Sequence, residues 1–158
     1  MTNGTTISAP AGTPFLEITR EFDAPPEAVF RAHTDPELVV QWLGPYDMAM
    51  EVDRWDAVSG GGYRYVHRNP ERGEHAFHGV FHSVVPAELI IQTFEYEGAP
   101  GEVSLGRYTF SPADGRTRLA IRSVFPSLEA RDAALASGME SGVNDSMQRL
   151  EALLRKGS

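Results

Sequence analysis

The sequence predicts an α+β protein in which a curved antiparallel sheet packs against one long C-terminal helix. Between about residues 48 and 125, apolar and polar residues alternate, and turns bearing Gly or Pro interrupt the alternation, as in strands joined by short links. Over residues 137–156 apolar residues recur at helical spacing, which gives a helix one apolar stripe. Such a helix naturally covers the concave face of the sheet that precedes it. The stripe consists of Met139, Val143, Met147, Leu150, Leu153 and Leu154.

The N-terminal segment predicts a tail followed by one domain. Residues 1–13 are rich in Thr, Ser, Gly and Pro, and we expect a disordered tail there. A single domain is expected over residues 14–158, because this length buries a sizeable core without disulfides or metals. Alternation over residues 15–22 predicts its first strand.

Proline and capping residues predict two short helices after the first strand. Pro25 and Pro26 suit the opening turn of a helix that ends near His33. Asp35 followed by Pro36 predicts a second short helix, because the carboxylate caps free amide groups and Pro fits the first turn.

Six further strands and a last short helix complete the order of elements. Ser127 is a suitable cap for a helix that runs through Leu135, just before the long helix. Together with the first strand, the six strands form a seven-stranded sheet. We predict these strands near residues 48–55, 62–68, 74–85, 88–97, 103–111 and 116–125.

Pairing the strands about their turns predicts which residues share a face. The Asn69–Gly73 turn places Tyr65 opposite Phe77 and His67 opposite His75. Because side chains alternate, one face collects the aromatic residues and we expect it to meet the long helix. The other predicted pairs are Phe81 with Thr93, Ser83 with Ile91, Tyr108 with Leu119, and Phe110 with Thr117.

Composition excludes several classes of function. A net charge of −8 and a pI near 5.1 argue against nucleic acid as a partner, because phosphate binding rewards a basic surface. The absence of cysteine excludes disulfides and thiolate catalysis. No apolar run reaches the roughly 20 residues of a membrane span, and no secretory signal is present, so we expect no membrane insertion and a cytoplasmic protein.

Several strings resemble the SRPBCC superfamily (START-like, Bet v-type). They are "FDAPPEAVFRAHTDPELVVQWLGP", "EVDRWDAVSGGGYRYV", "FHGVFHSVVPAELIIQTFEY" and "GMESGVNDSMQRLEALL". Within the superfamily they are most similar to homologues of the activator of the 90-kDa heat-shock protein ATPase. The resemblance covers about residues 15–156. It implies a helix-grip fold, a curved seven-stranded sheet around the C-terminal helix with an apolar cavity between them.

The histidines do not predict a metal site. His78 and His82 lie four residues apart on one strand, about 13 Å, which is too far to share an ion. His67 and His75 are cross-strand neighbours without a third ligand. His33 is expected at a helix end, where its partial charge suits the helix dipole.

One carboxylate is a weak candidate for catalysis. Glu95 falls on the predicted inward face, where burial raises a carboxyl pKa and favours general acid or base chemistry. The alternative is a solvated residue at a strand end, or an ion pair with Arg107. No cofactor is predicted, since neither a phosphate-cradling loop nor a dinucleotide fingerprint is present.

The preferred hypothesis is the binding of a small apolar or aromatic ligand between the sheet and the long helix. One alternative is an enzyme of the START-like class (cyclase, hydratase or hydrolase) that uses the same cavity. Another is an interaction module that assists a chaperone. A homodimer also stays open, because Val80, Phe94 and Tyr96 are predicted on the outer sheet face. The predicted ligand-binding residues are Trp42, Tyr63, Tyr65, Phe77, Phe81, Ile91, Thr93, Tyr108, Phe110, Met139, Val143 and Met147.

Overall fold

One antiparallel sheet and four helices make up the computed structural model, which describes residues 4–156. The sheet order is β1-β2-β8-β7-β6-β5-β4-β3, and every neighbouring pair is antiparallel, so the predicted fold class is confirmed. The strands are β1 (Thr6–Ser8), β2 (Phe15–Phe22), β3 (Ala49–Trp55), β4 (Gly62–Asn69), β5 (Gly73–Val85), β6 (Leu89–Tyr96), β7 (Ser104–Ala113) and β8 (Arg116–Val124). The helices are α1 (Pro26–Thr34), α2 (Pro36–Val39), α3 (Leu128–Ala136) and α4 (Met139–Lys156).

The described sheet has eight strands instead of the predicted seven, because part of the predicted tail pairs with β2. Ile7 lies opposite Ile18 and packs against the core. Arg20 on β2 also donates a hydrogen bond to Thr5, at 2.8 Å. An edge strand offers unpaired backbone groups, and the Thr-Ile-Ser segment satisfies them. The predicted disorder is therefore wrong for this segment, while residues 1–3 and 157–158 lie outside the described residues.

The short helices begin where the sequence predicts. Pro26 opens α1, and the Asp35 side chain accepts a hydrogen bond from the Glu37 amide at the start of α2. The Ser127 hydroxyl accepts one from the Ala130 amide at the start of α3. Each cap satisfies an amide that has no partner within its helix.

The predicted strand pairing is confirmed at the β4–β5 turn and corrected at the last hairpin. Tyr65 pairs with Phe77, and His67 with His75. At the last hairpin Tyr108 pairs with Ile121, not Leu119, and Phe110 pairs with Leu119, not Thr117. The turn contains only the two residues 114–115, both with positive φ, which shifts the register by two positions. A shift of two leaves each side chain on its predicted face.

The β5–β6 pairing is corrected by one position, which reverses the faces of β6. The predicted pair of Ser83 with Ile91 is confirmed, but Phe81 pairs with Gln92 and not with Thr93. A β-bulge between Phe81 and Ser83 adds one residue to β5. Side chains alternate along a strand, so the odd-numbered residues of β6 lie on the outer face. The residues of β6 on the concave face are Ile90, Gln92, Phe94 and Tyr96.

The apolar stripe of α4 packs over the concave face, mainly through its second half. Met147 and Leu150 are buried in the core, and Val143, Leu153 and Leu154 contact it. Met139 is not part of this core, because it lines a surface groove between the first turn of α4 and the loop at Pro45. None of the helices in residues 4–156 is long and apolar enough to cross a membrane.

A clamp of polar contacts holds the loop 41–47 against α4. The Ser146 hydroxyl accepts a hydrogen bond from the Gly44 amide at 2.8 Å, and Arg149 donates to the Gly44 carbonyl at 3.0 Å. Asp145 accepts from the Tyr46 amide. On the other side, the His67 ring packs directly against Gly44. These contacts fix the distance between α4 and the β4 end of the sheet.

Alanine substitutions at two glycines of this region should have opposite effects on the stability of the fold. At Gly44 a Cβ would lie 2.6 Å from His67 Nε2, and φ is +106°, so Gly44→Ala should destabilise the fold by about 2 kcal/mol. At Gly142 a Cβ would meet only Pro45 at 3.7 Å, so Gly142→Ala should stabilise α4 by about 0.5–1 kcal/mol. Urea denaturation of both variants measures these changes. A stable Gly44→Ala variant would contradict the described clamp.

Candidate functional site

A strip of stacked aromatic rings crosses the concave face from buried to exposed positions. Phe77 stacks on Tyr65 with ring centroids 5.2 Å apart and on Phe94 at 5.3 Å, and it contacts Tyr96 at 5.2 Å. Tyr65 is buried, whereas Phe94 and Tyr96 are 38% and 37% exposed. We call these four residues the aromatic strip. It connects the interior of the grip with solvent.

Three tyrosine hydroxyls lie at the inner end of the strip. Tyr63 donates a hydrogen bond to the Thr93 carbonyl at 2.6 Å and accepts one from Gln92 at 3.3 Å. Among residues 4–156, the hydroxyls of Tyr65 and Tyr108 have no hydrogen-bond partner. Burial raises the pKa of Tyr108 to about 12 and also raises the pKa of Tyr65. A phenol is protonated at neutral pH, and burial shifts both pKa values still further from it, so both hydroxyls are donors without a partner.

Two of these phenols come from strands that are not neighbours. Tyr65 on β4 and Tyr108 on β7 are three strands apart, which is about 14 Å across a flat sheet. Both belong to the same core cluster, and burial, followed by the electrostatic effect of Tyr108, raises the pKa of Tyr65.

Two glycines let tyrosine rings lie flat on the sheet. A Cβ on Gly79 would lie 2.7 Å from the Tyr63 ring, and one on Gly106 would lie 3.1 Å from the Tyr108 ring. Each ring therefore covers a position without a side chain. The layer of side chains on the sheet is therefore thin beneath α4. Tyr108 lies on the concave face and is half-buried.

His33 presents a buried, unpartnered nitrogen to this interior. Its Nδ1 lies 2.8 Å from the Val29 carbonyl oxygen, which only accepts, so Nδ1 carries the proton. Its Nε2 is buried without a partner, and the side chain is surrounded by Trp42, Tyr108 and Phe110. Burial lowers the pKa of His33 to about 4. The imidazole is neutral at physiological pH, and its Nε2 lone pair is free to accept.

His67 is the second buried imidazole, at the clamped end of the grip. Its Nε2 is also buried without a partner, and its ring contacts Tyr65 and Phe77. Burial lowers its pKa, and the nearby Arg149 guanidinium lowers it further, whereas a hydrogen bond to the Leu43 backbone opposes both effects. Because its Nε2 packs against Gly44, the main role of His67 is to hold the loop 41–47 in the clamp.

The structure brings nine of the twelve predicted ligand-binding residues into one cluster and leaves three outside it. Ile91 and Thr93 lie on the outer face, because the bulge in β5 reverses the alternation of β6. Met139 lines a surface groove instead. The clustered residues are Trp42, Tyr63, Tyr65, Phe77, Phe81, Tyr108, Phe110, Val143 and Met147.

Several residues of this interior were not predicted from the sequence. Gln92, Phe94 and Tyr96 lie on the concave face instead of the predicted outer face, because the bulge shifts the register by one residue. His33 lies in the last turn of α1 as predicted, but it is buried and its pKa is lowered, so it carries no charge there at neutral pH. The sequence did carry a sign that His33 is buried. It lies four residues after the apolar Val29, and residues at i and i+4 share one helix face.

Glu95, the weak catalytic candidate, lies on the outer face of the sheet. The prediction that it faces inward is therefore wrong. Glu95 contacts His78 at 3.4 Å, and His78 lies 2.9 Å from Glu97. Arg64 donates two hydrogen bonds to Glu97, at 2.8 and 3.0 Å, and these bonds, followed by the one from His78, lower the pKa of that carboxyl. This network is a charged surface of the sheet, and Glu95 has no access to the concave interior.

The remaining histidines do not gather around a common point. His82 is exposed and bonds the neighbouring Ser83 hydroxyl, whereas His75 bonds the Tyr96 hydroxyl at 3.0 Å. Within the described chain, no group of three His, Asp or Glu side chains is placed to hold a metal ion.

Two concavities on the surface of the described chain lie away from the aromatic strip. A groove of about 420 Å³ separates the start of α4 from the loop at Pro45 and Tyr46. A smaller one of about 270 Å³ lies on the outer face, between Arg107 and Arg122. Of the residues predicted to bind a ligand, only Met139 lines one of these two concavities.

Comparison with known proteins identifies the family of this fold. Residues 23–155 match the family described as "Activator of Hsp90 ATPase homolog 1-like protein". No curated protein matches the sequence.

Solved structures resemble the chain over nearly its whole length. A protein from Rhodobacter sphaeroides is 28% identical, with 97% of this chain and 99% of that chain covered and a TM-score of 0.88. Protein Ms6760 from Mycobacterium smegmatis is 25% identical, with 96% and 97% covered and a TM-score of 0.87. Protein CV1439 from Chromobacterium violaceum is 29% identical, with 89% and 96% covered and a TM-score of 0.77.

The buried state of His33 predicts a loss of stability in acid. An unfolded histidine titrates near 6.5, so between about pH 6.5 and 4 the unfolded chain binds more protons than the folded one. The contribution of His33 to the free energy of unfolding is therefore fully present above pH 6.5. About 3 kcal/mol of it is lost as the pH drops to 4. In His33→Phe this part of the pH dependence should disappear. Urea denaturation at pH 7, 5.5 and 4.5 measures it.

The matched control is His82→Phe, at an exposed position of β5. We expect this variant to keep the pH dependence of the wild-type protein. An unchanged acid dependence in His33→Phe would show that His33 is not held neutral by burial.

Proposed function

Because the chain belongs to the Activator of Hsp90 ATPase homolog 1-like protein family, we propose that it binds a small aromatic or apolar ligand on the concave face of its sheet. This membership confirms the resemblance noted in the sequence. The helix-grip fold places that face beneath α4. The proposed occupant is a single small molecule that contacts the aromatic strip.

The observation that carries this proposal is the continuity of the strip from solvent to the interior. Phe94 and Tyr96 expose aromatic surface on the concave side, where they contact the half-buried Phe77. Exposed aromatic rings that adjoin a buried ring system are typical of a binding surface, because the ligand removes them from water.

The inner end of the strip supplies the polar groups that orient a ligand. Small-molecule sites are mostly apolar and contain a few placed polar groups. Here those groups are the hydroxyls of Tyr65 and Tyr108 and the amide of Gln92, which donates to Tyr63. The proposal includes no reaction, because Glu95, the carboxylate considered for one, lies on the opposite face.

Removal of the exposed rings should weaken ligand binding. The double variant Phe94→Ser/Tyr96→Ser should bind 2-methylnaphthalene about tenfold more weakly than the wild-type protein, because two ring contacts are lost. Fluorescence titration of the ligand measures the affinity. Native mass spectrometry of the freshly purified wild-type protein then identifies the natural ligand if one co-purifies.

Leu105→Ser is the matched control, because Leu105 is similarly exposed but lies on the outer face. Its affinity should equal that of the wild-type protein. The proposal fails if the wild-type protein binds neither 2-methylnaphthalene nor 2-naphthol, or if the outer-face variant weakens binding as much as the double variant.

A further inference from the structure

The Nε2 atom of His33 is an acceptor that no described group satisfies. The Val29 carbonyl fixes the proton on Nδ1, so Nε2 directs a lone pair into the interior. The side chain is 7% exposed. A buried acceptor without a partner is rare in native proteins and marks a place where a donor belongs.

The surroundings of His33 are aromatic, and no neighbouring donor is directed at its Nε2. The indole of Trp42 donates to the Ala32 carbonyl, and that of Trp55 donates to the carbonyl of His33 itself. The Tyr108 ring lies 6.0 Å from the imidazole, yet its hydroxyl forms no hydrogen bond. The interior thus contains a free acceptor on His33, and the neighbouring Tyr108 ring carries a free donor.

We propose that the ligand is a hydroxyl-bearing aromatic compound whose hydroxyl donates a hydrogen bond to Nε2 of His33. This inference rests on the proposed function and names its ligand class. The aromatic body lies along Tyr65 and Phe77, and the free hydroxyl of Tyr108 donates to the oxygen of the same ligand. A hydroxyl both donates and accepts, so it satisfies His33 and Tyr108 together.

This arrangement discriminates between oxygen groups. A carboxylate has no proton for Nε2, and its charge would face a lone pair in an apolar surrounding. An ether accepts from Tyr108 but leaves His33 unsatisfied. Only a group with its own proton serves both residues.

The test compares two ligands of nearly equal shape, 2-naphthol and 2-methylnaphthalene. For each protein, fluorescence titration gives the ratio of the affinities for the two ligands. When this ratio is compared between the wild-type protein and a variant, the cost of removing the ligand hydroxyl from water cancels. We expect the preference for 2-naphthol to fall about tenfold in His33→Phe, because the variant loses the acceptor and keeps an aromatic ring. The ratio should stay unchanged in His82→Phe.

A second measurement uses the wild-type protein and does not depend on how a variant folds. The ¹⁵N chemical shift of His33 Nε2 should change when 2-naphthol binds and stay constant when 2-methylnaphthalene binds. Equal affinity ratios in the wild-type protein and His33→Phe, or an unchanged Nε2 shift, would overturn this inference and leave the proposed function standing. If neither ligand binds the wild-type protein, both proposals fail.

Discussion

One extra residue in β5 determines the chemistry of the concave face. The bulge between Phe81 and Ser83 shifts the register of β6 by one position, and side chains alternate along a strand. Gln92 and Phe94 therefore face the helix, while Glu95 faces outward. Without the bulge, a carboxylate would enter an aromatic interior, where its desolvation would be costly. The bulge thus keeps Glu95 out of the aromatic interior.

The packing beneath α4 depends on how the sheet and the helix are held against each other. On the sheet, Gly79 and Gly106 let Tyr63 and Tyr108 lie flat, which keeps the layer of side chains there thin. On the helix, the side chains of Ser146 and Arg149 hold α4 to the Gly44 backbone, and the His67 ring on β4 packs against the same glycine. The concave face is consequently packed beneath the second half of α4 and open near the exposed end of the aromatic strip.

Burial favours the neutral form of the titratable side chains in this aromatic interior. It lowers the pKa of His33 and raises the pKa of Tyr65 and of Tyr108, whose phenols are protonated at neutral pH in any case. Both buried imidazoles, His33 and His67, have an Nε2 without a partner, and the hydroxyls of Tyr65 and Tyr108 form no hydrogen bond within residues 4–156.

The sequence by itself determined the order of elements from β2 onward, the fold class and the family. Alternation, prolines and caps such as Asp35 and Ser127 act locally, so their signals survive in the linear chain. Nine of the twelve predicted ligand-binding residues share one cluster because apolar periodicity also reports burial.

Only the tertiary structure decided which residues meet. The bulge that reversed β6 has no clear mark in the sequence, and the two-residue turn at 114–115 shifted a hairpin register that symmetric pairing had placed differently. The burial of His33 depends on Trp42 and Tyr108, which are brought to it by a helix packing on a distant strand. Such contacts join residues far apart in the chain, and no local pattern encodes the distance between them.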